Sequence, residues 1–131
     1  MTLLIVDASA WVKRYSQEAG SGRINQQFDQ GILMGASTLG LIEVTATCAR
    51  KRTAGAIDTA RFQQIETDLL NDWTGLFQVD LAPVVIERSL DVARTHALRG
   101  ADCVQLASAI IFREQIEPST SISHSVPLTR S

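Results

Sequence analysis

Two cysteines in 131 residues leave little for cysteine chemistry to build on. Cys48 and Cys103 stand far apart with no C-x-x-C pair. That excludes a disulfide framework and a four-ligand structural zinc site, and it suits a reducing cytosol; both read as small buried hydrophobes. Histidine is equally scarce: neither His96 nor His124 has a metal-ligand partner at i+4, and both are taken as non-catalytic. An excess of one charge is also missing. Twelve Lys and Arg against 14 Asp and Glu leave a net charge of −2, which excludes a polycation that holds nucleic acid by bulk charge but not a metal-assisted or locally charged site. Aromatics make up only 5%, so Trp11 and Trp73 read as core packing rather than base-stacking platforms. Long apolar runs are absent. The run Leu3-Leu4-Ile5-Val6 stops after four residues with no basic segment before it, so it is neither a signal peptide nor a membrane span. The expected location is the cytoplasm, with no membrane partner.

What remains is an ordinary globular composition, 45% hydrophobic and 20% charged, of single-domain length. Such a chain buries roughly two-thirds of its unfolded surface. Short apolar segments at Leu3–Val6, Ile32–Ser37 and Leu76–Leu81 read as strands, the first buried on both faces as in a parallel sheet. Between them lie helical stretches: a short one after Asp7, a polar one from Arg23 to Gln30, and one from Thr38 to Arg52 with its cations at the C-terminal end. A fourth follows the Ile57, Phe62, Ile65, Leu69, Leu70, Trp73 stripe. Pro83 opens a helix whose Ile86, Leu90, Ala93 and Ala97 share a face, and Gly100 ends it. A nearly all-apolar helix then runs from Asp102 to Phe112, the pattern of a central buried element. The alternation predicts an α/β fold on a central parallel sheet of about four strands flanked by helices. One domain is expected over residues 1–116, followed by a loose Ser- and Pro-rich tail over 117–131.

Three carboxylates stand out by position. Asp7 follows the first strand, Glu43 interrupts the apolar stretch Leu39, Leu41, Ile42, Val44, and Asp102 opens the most apolar helix. In open α/β sheets ligands bind beyond the carboxyl ends of the strands, and helices bearing Glu43 and Asp102 can converge there on Asp7. Acids gathered in one place repel unless a cation neutralises them, and Mg²⁺ or Mn²⁺ suits carboxylate oxygens. Such an ion polarises a phosphodiester and activates water for in-line attack. Plainer roles compete: Asp7 as a helix cap, Asp102 with Gln105 as a capping pair, and Ser9 and Thr38 as caps. A buried unpaired Glu43 is costly and calls for a partner or an ion. Basic side chains such as Lys13, Arg14, Arg50, Lys51, Arg52 and Arg99 are either a solvated face or phosphate contacts; Lys13 and Arg99 are the candidate RNA-binding pair.

These residues carry a resemblance. Leu4-Ile5-Val6-Asp7-Ala8-Ser9 resembles the opening of PIN domains, where a hydrophobic strand delivers Asp-x-Ser/Thr. Ser37-Thr38-Leu39-Gly40-Leu41-Ile42-Glu43-Val44 is similar to their second motif, a Glu inside a helix after a short strand. Asp102-Cys103-Val104-Gln105-Leu106-Ala107-Ser108-Ala109 is similar to the third, an Asp opening an L-A-x-A helix. At this length the chain resembles the VapC toxins of toxin–antitoxin pairs. The resemblance implies a PIN-like fold and a Mg²⁺- or Mn²⁺-dependent endoribonuclease. Its acidic pocket maps onto Asp7, Glu43 and Asp102, and its accessory hydroxyl onto Ser9. It also implies an RNA substrate and a cognate VapB-like antitoxin, while the outer faces of the helical stripes are consistent with a homodimer. One departure is plain: the family's further acid, in a T/S-x-D motif, has no counterpart, because no Asp or Glu follows Glu117. The alternative expectation is therefore a catalytically impaired PIN module that binds antitoxin or RNA without cutting. A phosphatase using Asp7 as nucleophile ranks lower, since Ser9 stands where a second Asp is needed.

Overall fold

The computed structural model describes residues 3–30, 33–117 and 128–129. Strand β1 (Leu3–Ile5) leads through Asp7 into helix α1 (Ala8–Trp11), which tightens into a 3-10 turn at Val12–Tyr15. Helix α2 (Ser21–Asp29) starts at Gly20, whose φ of 94° lies in the left-handed region that glycine adopts without steric cost. Strand β2 (Leu33–Ser37) runs directly into α3 (Thr38–Thr53), where the Ser37 side chain accepts from the Gly40 amide as N-cap. Helix α4 (Thr59–Thr74), capped by Asp58, leads to β3 (Phe77–Val79). Helix α5 (Pro83–Thr95) begins with proline, whose missing N–H and fixed φ suit a first turn. The long α6 (Gly100–Ile116) follows, and Leu128–Thr129 form β4.

β2 lies between β1 and β3, parallel to both, with Leu4 opposite Met34 and Ala36 opposite Gln78. β4 pairs antiparallel to β3, Val79 opposite Leu128. Among the described residues the sheet thus has four strands, three of them parallel. Apart from Glu117 and β4, the tail expected over 117–131 lies outside the described residues.

The side-chain alternation of the strands shows why helices cover both faces. Met34 and Ala36 of β2 join Trp11, Val44, Phe62, Ile65 and Leu69 in one cluster, on the side of α1, α3 and α4. Leu33 and Ile5 point the other way, against Val79, Val85, Ile111 and Phe112 of the α5–α6 side. Period-two alternation with both sides apolar is what a doubly covered parallel sheet requires. Gly35 belongs to this second face: a Cβ there would lie 3.0–3.1 Å from three ring carbons of Phe112. The glycine lets α6 sit directly on the sheet.

The shared apolar face of α5 turns outward, and one helix boundary is corrected. Helix α5 turns Val85, Ser89 and Val92 inward and leaves Ile86 and Leu90 44% and 49% exposed, with Ala93 and Ala97 exposed as well. The helix docks on α6 one residue out of register from its most apolar stripe, and the buried Ser89 hydroxyl is satisfied by the Val85 carbonyl at 2.7 Å. Helix α5 also ends at Thr95, so Gly100 opens α6 instead of closing α5.

Candidate active site

All three parallel strands finish at one end of the sheet, and a polar residue stands within two positions of each strand's last residue. Asp7 follows β1, Ser37 and Thr38 join β2 to α3, and Asp80 follows β3. Asp7 caps α1: its Oδ1 accepts from the Ala10 amide at 2.9 Å and from the Ser9 hydroxyl at 3.0 Å. Both bonds use one carboxylate oxygen, so the other carries no protein partner among the described residues. The capping role read from the sequence is real, and it leaves half of the carboxylate available.

Glu43 lies a turn and a half into α3, half-buried, and has no hydrogen-bond or ion-pair partner among the described residues. A cavity of about 590 Å³ opens beside it, lined also by Ser9, Lys13, Glu18, Arg50 and Lys51. The cation ladder on its wall offsets the repulsion of the two acids. α3 packs against both α1 and α6, so the elements bearing Asp7, Glu43 and Asp102 are neighbours in the fold.

Asp102 departs from its expected local role. The N-cap of α6 is Arg99, without a side-chain bond, and Asp102 stands in the first turn of the helix, where the dipole favours a negative charge. It is exposed and faces the Arg99 guanidinium at 3.6 Å, whose own side chain is 91% exposed. Thr38 likewise is not a cap; its hydroxyl donates to Asp80 Oδ1 at 3.0 Å.

The structure therefore joins Ser9, Glu43 and Lys13 at one cavity, links Asp7 to it through Ser9, and sets Asp102 with Arg99 on the adjacent helix. The donors are of the right kind for a hard divalent cation, carboxylate oxygens with a hydroxyl beside them. Their spacing is not that of a formed metal centre: among the described residues no group of three or more His, Cys, Asp or Glu is close enough to hold an ion.

Three acidic or basic residues were not singled out by the sequence. Asp80 directly follows β3, as Asp7 follows β1 one residue further on, and that strand-end position was the available signal. Glu18 carries no motif and reaches the Glu43 cavity only through tertiary packing, and Arg61, equally without a motif, lines a neighbouring cavity.

Comparison with known proteins bears on this arrangement. No protein-family model matches the chain. It is 34% identical over 110 residues to ribonuclease VapC45 of Mycobacterium tuberculosis, and at the same identity and length to ribonuclease VapC49 of another strain of that species. Each match spans 84% of this chain and 76% of the relative. The chain belongs to the VapC ribonuclease family. The PIN-like α/β architecture accords with that membership. No helix among the described residues is long and apolar enough to cross a membrane.

A separate polar cluster ties the 3-10 turn to α2 and α4. The Arg14 guanidinium reaches Asp72 with Nε at 2.7 Å and Nη2 at 3.1 Å, donates Nη1 to Asn25, and stacks over Phe28 at 4.1 Å. Burial opposes its charge, but the bonds to Asp72 outweigh that and hold its pKa above the ordinary value. Trp11, fully buried, stacks on Trp73 with ring centroids 6.2 Å apart, so both tryptophans are packing residues as expected. Cys48 and Cys103 are buried free thiols, and burial pushes the Cys48 thiol up.

Proposed function

We propose that this chain is a divalent-metal-dependent endoribonuclease, the toxin of a VapBC-like pair, which hydrolyses RNA phosphodiesters at Asp7, Glu43 and Asp102. The observation that carries the reading is Glu43: a half-buried carboxylate without a protein partner, in a cavity whose wall also bears the hydroxyl that holds Asp7. An unpaired negative charge in that setting costs stability, and a bound cation offsets the cost.

In this scheme Ser9 and the Ala10 amide fix Asp7 through one oxygen, so that its other oxygen faces the reaction. Glu43 supplies the second carboxylate and Asp102 the third. Lys13 and Arg99 attract the phosphate backbone. A bound Mg²⁺ or Mn²⁺ would supply Lewis-acid polarisation of the phosphodiester and a water of lowered pKa. A cognate VapB-like antitoxin is the expected inhibitor, and a homodimer the expected assembly.

Purified protein should cut a single-stranded RNA when Mg²⁺ or Mn²⁺ is added and stop when the ion is chelated. Cleavage that is indifferent to chelation contradicts the metal requirement. A second reading has its own support: no acid follows Glu117, and the acids in hand do not form a closed group. In that reading the chain binds antitoxin or RNA without cutting. Metal-independent RNA binding with no cleavage at any divalent ion concentration would favour it.

A further inference from the structure

A second cavity, of about 760 Å³, lies beside the Glu43 cavity, between the 3-10 turn and the facing ends of α3 and α4. The two share Val12 and Lys51 as lining residues, so Lys51 stands on the wall between them. The second cavity carries Arg14, Lys51 and Arg61 together with the neutral polar side chains of Ser16, Gln17 and Asn25, and among the described residues no acidic side chain lines it. In a chain of net charge −2 this is a local concentration of cations.

The three cations differ in what they have left to offer. Arg14 is neutralised by Asp72. Arg61 donates Nη2 to the Tyr15 carbonyl at 2.8 Å and has no acidic side-chain partner among the described residues, so its charge is uncompensated. Lys51 sits 3.9 Å from Glu18, at the outer limit of an ion pair and half-exposed. Such a pair is worth little. Glu18 is itself held by the Ser16 hydroxyl at 2.9 Å. Lys51 and Arg61 are therefore the two cations whose charge is available to an incoming anion.

We propose that this cavity is a binding site for the phosphodiester backbone of single-stranded RNA, entered over Lys51 from the Glu43 cavity and ending at Arg61. The choice of ligand rests on the ribonuclease reading above. A polyanion that spans both cavities meets Lys13, Arg50, Lys51 and Arg61, while Ser16, Gln17 and Asn25 offer hydrogen bonds to sugar or base. Neutralised phosphates release counterions, so affinity carries a salt dependence that counts the contacts.

The test is RNA binding by fluorescence anisotropy, in chelator, with a labelled oligonucleotide and the Asp7→Asn chain as a non-cutting background. Lys51→Ala and Arg61→Ala should each weaken binding several-fold and shallow the slope of log K against log salt by about 0.7, the single-strand value per phosphate. The double variant should lose about twice that. Lys51→Arg and Arg61→Lys should keep the slope, which separates charge from a folding defect. Glu18→Gln, which removes a repelling carboxylate, should tighten binding. Arg94→Ala, on the far helix α5 and paired with Asp91, should change nothing. An unchanged slope in the folded double variant overturns the proposal. So does a polyglutamate peptide that loses affinity in that variant while RNA does not, for the cavity would then take an acidic protein segment. Slopes that shift as stated in a protein that never cuts RNA leave this inference standing and remove the nuclease reading; normal cleavage with unshifted slopes does the reverse.

Discussion

The Tyr15 hydroxyl donates to Asp72 Oδ2 at 2.5 Å, bonding the 3-10 turn to α4 across 57 positions of sequence. Its oxygen in turn accepts from the Trp11 indole N–H at 2.9 Å. Burial, then the bond to Asp72 and its negative charge, push the phenol pKa far above the ordinary 10.0. Tyr15 is the single tyrosine of the chain, so phenolate absorbance reports on it alone. A folded-state value above the unfolded one means that the neutral phenol's contribution is complete below pH 10 and is lost as the pH rises further. Absorbance titration should show no phenolate near pH 10 while the protein is folded, and its appearance should coincide with unfolding. A normal titration of the folded chain would contradict the buried bond.

Replacing that phenol isolates its worth. Tyr15→Phe leaves the Trp11 indole N–H unpaired in a buried site and takes one donor from Asp72, which should cost about 1–3 kcal/mol in urea unfolding. The variant should also lose the part of the alkaline destabilisation that begins above pH 10 in the parent.

Close packing at the sheet gives a sharper stability prediction. Gly35→Ala puts a methyl against the buried Phe112 ring, and overpacking of this kind costs about 1–3 kcal/mol. Phe112→Leu in the same chain should recover part of the loss, so a double-mutant cycle should show coupling. Additive effects would mean that the two residues do not meet.

The fold was largely legible because its signals are local. The apolar runs at β1, β2 and β3, the proline opening α5 and the cations closing α3 each carry their own physical reason. What was not legible depends on which element docks where. The apolar stripe of α5 pointed to Ile86 and Leu90, yet contact with α6 selects Val85, Ser89 and Val92. Asp102 followed by Gln105 looked like a capping pair, yet α6 starts two residues earlier. For the candidate site, strand-end placement pointed to Asp7, and an acid inside an apolar stretch pointed to Glu43. The cavities beside them were invisible, because Glu18, Lys51 and Arg61 meet only through tertiary packing.

Asp7 carries two roles that substitution can separate. Asparagine caps a helix about as well as aspartate, whereas alanine costs about 0.5–2 kcal/mol. Asp7→Asn should therefore keep the unfolding midpoint of the parent while Asp7→Ala lowers it, and RNA cleavage should be lost in both. Cleavage retained in the asparagine variant would reduce Asp7 to a cap.

Arg99 should show the opposite pattern. Its side chain is almost wholly exposed, so Arg99→Ala should leave thermal unfolding unchanged and weaken RNA binding with a shallower salt slope, by about 0.7. An unchanged slope would assign Arg99 to the solvated surface of α6.

The most direct test compares RNA cleavage by the parent with that by Asp7→Asn, Glu43→Gln and Asp102→Asn at saturating Mg²⁺ or Mn²⁺, each variant first shown to be folded by circular dichroism. The account predicts metal-dependent cleavage in the parent and its loss, by two orders of magnitude or more (about 3 kcal/mol of barrier), in each variant. Folded variants that all cut at the parent's rate would contradict it.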